Sequence, residues 1–327
     1  MDKKIGLVYR SKKNQRFSIE TLFSPFDNDS FIEKIVLPCN LTSLKNLVKI
    51  IFFSFTIKPK VIHITGDVHY LAFILFWKKS IITIHDLNHY ENLKGLRKFF
   101  YGFIWFYLPL KFAKKIVTIS PYTKDQLLTH FKLNENKITV IPNSFLKFHD
   151  QEEFQLNKNQ ERFRILCIGS GANKNFDRLI DALDGIENIE IRLVGKQSVS
   201  IENKLKAKKI EYSIVYNIDR TDLQKEYKLA DLLYFASTKE GFGLPILEAQ
   251  SLGIPVLTSN TTAMPFVGGN GAVYVDPYSV NSIRESLLLF VNKKIDIESL
   301  KESGFKNIER FSILNFKEAY KNIYSSI

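Results

Sequence analysis

The sequence predicts an α/β protein made of two doubly wound, Rossmann-like domains. Three observations carry that expectation. The chain has 327 residues, more than one ordinary hydrophobic core absorbs. Short β-branched runs alternate with helical patterns along its length, the signature of parallel sheets with crossover helices. A polar stretch from His149 to Arg162 divides the pattern into two sets. The expected domains are therefore residues 1–150 and 151–327, facing each other across a cleft.

In the first set, Ile5–Tyr9, Val61–Thr65, Ile81–Ile84, Ile116–Ile119 and Thr139–Ile141 read as strands. In the second, Arg164–Ile168, Ile189–Val194, Ser213–Tyr216, Leu232–Phe235 and Val256–Thr258 are strands. Asn175–Leu183, Leu223–Leu229 and Pro245–Leu252 are its helices. Ligands of such sheets bind beyond the carboxyl ends of the strands.

Apolar content of 45% and charged content of 24% exclude a disordered or fibrous chain. Cys39 and Cys167 make no disulfide framework, so a reduced, cytoplasmic compartment is expected. Ile5–Tyr9 is too short for the core of a signal peptide. The longest apolar run, Phe99 to Leu110, falls short of the roughly 18 to 20 residues that span a bilayer. The net charge of +12 is unevenly placed. Residues 1–150 carry 23 Lys and Arg against 11 Asp and Glu, and the remainder carries 23 of each. The first half is thus expected to meet something anionic.

The most informative segment runs from Leu232 to Ser259. A strand ends near Ser237, Glu240 follows it, and Gly241 and Gly243 allow a tight path before Pro245, a residue suited to a helix's first turn. Gly253 ends that helix and Pro255 opens the next strand. Glu248 is placed in the first helical turn, where free N–H groups also seat a diphosphate. A carboxylate accepting both ribose hydroxyls follows the logic of dinucleotide sites. By spacing alone, a strand–turn–helix with two solvated glutamates fits equally.

The run Glu240-Gly241-Phe242-Gly243-Leu244-Pro245-Ile246-Leu247-Glu248-Ala249, followed by Gly253-Ile254-Pro255-Val256, resembles the E-x7-E segment of retaining glycosyltransferases of family GT4, whose fold is GT-B. Ile168-Gly169 with Asn173-Lys174-Asn175 is similar to that family's phosphate-contacting turn. Val194-Gly195-Lys196, Leu229-Ala230-Asp231 and Val275-Asp276-Pro277 fit as well. In the first half, Ile84-His85-Asp86-Leu87, Ile119-Ser120 and Val140-Ile141-Pro142-Asn143 look like the family's N-terminal domain.

The resemblance implies a nucleotide-diphosphate sugar as donor, with no metal and no cofactor. Glu248 would bind the ribose, Glu240 the donor sugar near the reacting carbon, and Lys174 the diphosphate. Gly169, Gly243, Leu244 and Pro245 would line the donor site, and His85 would face donor and acceptor from the N-terminal domain. Developing diphosphate charge would be met by Lys174 and the backbone donors from Gly243 to Ile246. The last helix is expected to return to the N-terminal domain. The expected acceptor is a glycan or lipid-linked glycan, in surface polysaccharide or lipopolysaccharide assembly. The two alternatives are an epimerase or hydrolase on the same fold and a non-catalytic membrane- or polyanion-binding module.

Some positions depart from the family pattern. Asn173 stands where a basic residue often precedes Lys174, leaving Arg178 or Lys196 as substitutes. Phe266 stands where an acidic residue is usual, and Asn270 where Asp is frequent. Tyr9-Arg10-Ser11-Lys12-Lys13 lacks the glycine-rich turn.

Other signals have plainer readings. Asp27-Asn28-Asp29 mimics a metal-binding D-x-D but sits in a polar turn, and His85 with His89 lacks a third ligand. His63 and His69 are expected to be structural. Gly268 to Gly271 reads as a turn. Seven of the nine residues from Phe99 to Tyr107 are aromatic, with Lys94, Arg97, Lys98, Lys111, Lys114 and Lys115 alongside. That segment and Leu41–Ile57 each admit two readings, core helix or contact with an anionic membrane surface. No nucleic-acid fold signature is present, and no such partner is expected.

Overall fold

The computed structural model describes residues 4–11, 18–148 and 162–327. The expected linker at 149–162 lies almost wholly outside them, as do Lys12 and Lys13. The chain forms two compact units, Met1–Ser144 with Ser312–Ile327, and Phe145–Phe311. The second unit begins before residue 150, because Phe148 lies under the Arg220 guanidinium, 4.5 Å from ring centroid to carbon.

The N-terminal unit runs β1 (Ile5–Tyr9), α1 (Ser18–Phe23), β2 (Ile32–Val36), α2 (Leu44–Ser54), β3 (Val61–Ile64), α3 (Leu71–Ile74), β4 (Lys79–Ile84), α4 (Asn88–Asn92), α5 (Gly95–Tyr101), α6 (Leu108–Phe112), β5 (Lys115–Thr118), α7 (Pro121–His130) and β6 (Ile138–Val140). Its parallel sheet has the order β2-β1-β3-β4-β5-β6. The five expected strands form. β2 was not anticipated, because Glu33 and Lys34 interrupt its apolar run; it is an edge strand, where charge is tolerated. Between α5 and α6 the chain is π-helical over Gly102–Tyr107. Pro109 follows and cannot donate to the carbonyl four residues back.

On one face of this sheet Val8, Ile62, Ile64, Ile82 and Ile116 pack with Ile50, Leu71, Phe106, Leu110 and Leu127 from the crossover helices. That is the burial of a sheet covered on both sides. The other face holds Leu7, Val61, Ile81 and Val117 against Phe23, Phe26 and the last helix.

The C-terminal unit runs β7 (Phe163–Ile168), α8 (Phe176–Ala182), β8 (Ile189–Val194), α9 (Val199–Ala207), β9 (Glu211–Val215), α10 (Arg220–Leu229), β10 (Leu232–Phe235), α11 (Leu244–Ser251), β11 (Val256–Ser259), α12 (Met264–Gly268), β12 (Val273–Val275), α13 (Val280–Val291) and α14 (Ile297–Ile308). Its parallel sheet has the order β12-β11-β10-β7-β8-β9. Side-chain caps fix several of its helices: Ser198, Asp219, Ser279 and Asp296 each accept a backbone N–H three residues on. The strand order reverses at β7, which lies between β10 and β8, so the loops after β7 and β10 splay apart at one point.

The last helix, α15 (Ile313–Ser325), is capped by Ser312 and belongs to the N-terminal unit. It is fastened to the sheet by buried polar groups. His63 of β3 bonds Tyr324 Oη through Nδ1 at 2.8 Å and Thr83 Oγ1 through Nε2 at 2.7 Å. Tyr320 Oη reaches the same Thr83 hydroxyl at 2.9 Å. His63 is therefore structural, and burial pushes its pKa down to about 3. Unfolded, the imidazole protonates below roughly 6.5. The folded state binds fewer protons between these values, so this contribution is present above the upper value and is lost as pH falls. The wild-type chain should lose stability between pH 6 and 4 more steeply than His63→Gln, by at most about 1.4 kcal/mol per pH unit. Urea midpoints across that range check this, and equal slopes would overturn it.

Candidate functional site

The carboxyl end of β7 leads into a turn whose shape depends on glycine. Gly169 has φ +109° and Gly171 φ +101°, conformations that L side chains rarely adopt. A Cβ at Gly169 would stand 2.4 Å from Lys174 Cε, so the bare backbone is what lets the lysine lie across it. Gln197 braces the loop by donating to the Gly169 and Gly195 carbonyls at 3.0 and 2.9 Å. Asn175 closes the turn in the left-handed region, φ +63°. Its buried amide donates to the carbonyls of Ala236 at 3.1 Å and Pro277 at 2.7 Å. It is the cap of α8 rather than its first residue.

Across the switch point, the loop after β10 delivers Glu240. Lys174 Nζ lies 2.6 Å from Glu240 Oε1, and Asn173 Nδ2 donates to the same oxygen at 3.0 Å. The Thr238 N–H bonds the Asn173 carbonyl at 2.9 Å, stitching the two loops together. Both side-chain contacts fall on Oε1, which leaves Oε2 as an acceptor. One donor of the Lys174 ammonium goes to Glu240 out of three. The ammonium also sits 4.6 Å over the Phe235 ring.

Gly243, φ +114°, caps α11, and Pro245 occupies its first turn. The donors at this end are fewer than the sequence suggests. Pro245 has no N–H, and that of Ile246 bonds the Gly243 carbonyl at 3.1 Å, which leaves the amides of Gly243 and Leu244. Glu248 lies in the second turn of α11, not the first, so the helix dipole acts on it weakly. Its environment is set instead by α10. Tyr227 Oη donates to Glu248 Oε2 at 2.8 Å, and Arg220 Nη1 stands 3.7 Å from Oε1. Burial raises the Glu248 pKa above the ordinary carboxylate value, while Tyr227 and Arg220 oppose the shift. Arg220 is itself held by the Leu146 carbonyl and the Phe148 ring.

Lys174, Asn173, Glu240 and Gly169 thus meet at the switch point, and Gly243, Leu244, Pro245 and Glu248 follow on α11. His85 belongs to the N-terminal unit, directly after β4. Its Nε2 lies 2.7 Å from the Thr65 carbonyl, so Nε2 carries the proton and Nδ1 is left as an acceptor. Burial is the main cause that lowers its pKa, against the raising effects of the Thr65 carbonyl, Asp67 and Asp86. The imidazole is neutral at neutral pH.

Of the two expected substitutes, Arg178 is committed elsewhere. Arg178 donates to Asn175 Oδ1 at 2.9 Å and lies over the Tyr278 ring. Lys196 is exposed. Asn173 orients Glu240 rather than replacing a cation. Phe266 packs edge-on to Phe311 at 6.0 Å and beneath Arg310 at 5.2 Å, an apolar filler in a position read as acidic. Gly271 touches the Gly304 backbone and is structural. Arg10 pairs with Glu20 at 3.6 Å and Asp67 at 3.4 Å. Asp27 and Asp29 are taken by Lys34 and Lys317. Among the described residues no three His, Cys, Asp or Glu side chains converge as a metal-ligand set.

Sequence reasoning missed Tyr227, Arg220, Gln197 and the bracing role of Asn175. The Asp219 cap ahead of Arg220 and the apolar face of α10 place two of them on a helix, but nothing local ties that helix to Glu248.

The match to known proteins agrees with this geometry. Residues 148–307 match the family described as glycosyl transferases group 1, and residues 31–145 match glycosyltransferase family 4. The chain belongs to the family-4 type of GT-B glycosyltransferases and is an enzyme of glycosyl transfer. It is 26% identical over 258 residues to the O-antigen chain mannosyltransferase RfbU of Salmonella typhimurium, spanning 75% of this chain and 69% of that protein. It is 25% identical over 315 residues to the capsular polysaccharide biosynthesis glycosyltransferase CapM of Staphylococcus aureus, spanning 87% and 81%. In fold it is similar to HepE of Anabaena, solved with UDP and glucose, with TM-score 0.79 and 16% identity over 99% of this chain and 100% of that one.

The contact between Gly169 and Lys174 gives a test with an internal control. Gly169→Ala should cost about 1–3 kcal/mol from backbone strain and also weaken nucleoside-diphosphate binding, because Lys174 is displaced. Gly185→Ala, at φ +71° with nothing within 4 Å of the added Cβ, should cost stability alone. Urea denaturation and calorimetric titration of both variants check this; equal ligand affinity in the two would overturn it.

Proposed function

We propose that the chain is a retaining, metal-independent glycosyltransferase that moves a sugar from a nucleotide-diphosphate donor to a glycan or lipid-linked acceptor. Its setting is the assembly of a surface polysaccharide at the cytoplasmic face of the membrane. The reading rests on one observation above others, the meeting of Lys174, Asn173 and Glu240 at the switch point beside the α11 end. The names of RfbU and CapM support the polysaccharide setting, and the UDP and glucose bound to HepE support the donor class.

Each residue then has a defined task. Glu248 accepts the ribose hydroxyls, and Tyr227 holds one carboxylate oxygen in place. Lys174 and the amides of Gly243 and Leu244 meet the diphosphate, whose charge grows as the sugar–phosphate bond breaks; fixed donors aimed at developing charge are an effective means of catalysis. Glu240, steadied on Oε1, uses Oε2 to accept donor-sugar hydroxyls. His85, neutral and fixed by Thr65, offers Nδ1 to a substrate hydroxyl. Metal independence follows from assigning the diphosphate charge to these groups, and transfer should persist in EDTA. Loss of activity on chelation, restored by a divalent cation, would refute it.

Glu248→Ala should weaken donor binding by roughly 100-fold or more, since two charge-assisted hydrogen bonds are lost, without unfolding the chain. Thermal shifts against UDP, GDP, ADP and CMP, then their sugars, measure this; unchanged affinity would sink the assignment. Because Glu248 must be ionised to accept hydroxyls, donor affinity should fall with falling pH, beginning above the ordinary carboxylate range. Tyr227→Phe removes a hydrogen bond that lowers the Glu248 pKa, so that acid limb should move to higher pH.

A further inference from the structure

We propose that the outer surface of α2, α3, α5 and α6 is a docking face for an anionic lipid bilayer. It rests on the N-terminal unit alone and does not depend on the donor-site reading. Fifteen of the twenty-one exposed large apolar side chains among the described residues lie between Leu44 and Phe112. On α2 and its C-terminal cap the exposed set is Leu44, Val48, Ile51, Phe52 and Phe55, one stripe at helical spacing. The opposite side of the same helix already supplies buried Ile50 to the core. From α5 through the π-helical segment, Leu96, Phe99, Phe100, Phe103, Ile104 and Tyr107 repeat the same spacing, while Phe106 and Leu110 face inward. Both segments are therefore apolar on two sides, and only one side has a partner within the fold. The core reading holds for one side of each segment, and the other side is bare.

The stripes lie on one surface. Crossovers from β2 through β5 all step in one direction across the sheet, and right-handed connections keep their helices on one face. Ring contacts bridge the elements. Phe55 stacks on Trp77 at 5.4 Å, and Phe73 meets Phe112 at 5.5 Å. Within the π-helical segment, Phe103 stacks on Tyr107 at 5.5 Å. Soluble monomers rarely leave so continuous an apolar surface uncovered.

Charge selects the partner. From Leu41 to Lys115 the chain has twelve Lys and Arg against Asp67, Asp86 and Glu91. Those three stand off the helices in question: Asp67 and Asp86 follow β3 and β4, and Glu91 of α4 bonds Gln126 and His130. Thus α2, α3, α5 and α6 carry no acid. Among the described residues Lys45, Lys49, Lys94, Arg97, Lys111 and Lys114 form no ion pair. Aromatic bodies rimmed by lysines whose stems lie along apolar surface are suited to a headgroup layer of negative charge. A second copy of this face would set lysines against lysines.

Flotation with vesicles tests the assignment. The chain should float with phosphatidylglycerol–phosphatidylcholine vesicles and not with phosphatidylcholine alone, and raised salt should weaken binding. Phe99→Ser/Phe103→Ser and Lys45→Glu/Lys49→Glu should each reduce it by at least about 10-fold. Both variants should keep the thermal shift given by nucleoside diphosphates and the circular dichroism of the wild type. Failure of the wild type to float with anionic vesicles would overturn the proposal. So would vesicle binding unchanged in both variants, or self-association in sedimentation that the phenylalanine substitutions abolish while no vesicle binding is seen. Loss of nucleotide binding in Glu248→Ala bears only on the donor site, so the two readings fail separately.

Discussion

The Lys174–Glu240 ion pair is the contact around which the C-terminal unit's site is arranged. It joins the loops after β7 and β10, the two strands between which the strand order reverses. Opposite charges in direct contact with low exposure cost more to separate than a surface pair does. The Asn173 amide adds a bond to the same carboxylate, and the Thr238 N–H adds a backbone bond across the same gap. The surrounding glycines follow from this closeness, since Gly169 must give up its side chain for the lysine to cross it. A carboxylate and an ammonium are thus held ready, each with capacity left on one side.

Glu248 illustrates a second constraint. A carboxylate removed from water loses solvation and resists ionising. Tyr227 and Arg220 from a neighbouring helix oppose this by favouring the ionised form of the shielded carboxylate. The same economy holds in the N-terminal unit, where His63 is kept neutral between two hydroxyls. Neither unit relies on bulk charge for its internal chemistry. The excess of positive charge lies in the N-terminal unit instead, part of it on helices whose outer sides carry uncovered aromatic side chains. A neutral C-terminal unit with a locally charged site and a basic N-terminal unit with an apolar outer face are different electrostatic solutions within one chain.

Much of the fold was legible because parallel strands buried on both faces leave continuous apolar runs. Ile5–Tyr9 and Leu232–Phe235 were placed to the residue. β2 escaped because an edge strand accepts Glu33 and Lys34, which hides its pattern. Of the candidate site, Glu240, Glu248, Gly241 and Gly243 were visible because tight turns and helix starts restrict residue choice locally, whereas Lys174 and Gly169 were singled out by the family resemblance. Tyr227 and Arg220 were not, because what they do depends on where α10 packs. The position of Glu248 in the second turn also needed the helix's true start.

What the sequence by itself determined was the alternation of strand and helix, the uneven charge, and the spacing of Glu240, Glu248 and the glycines around them. These depend on interactions within a few residues or on composition. Tertiary structure alone decided that Asn173 steadies Glu240, that Ile246 withholds its N–H, and that Phe266 fills space beside Arg310. It also decided that the aromatic segment 99–107 is buried on one side and bare on the other. Periodicity gives the spacing of apolar side chains around a helix, but which side meets a neighbour is fixed only once the sheet supplies that neighbour.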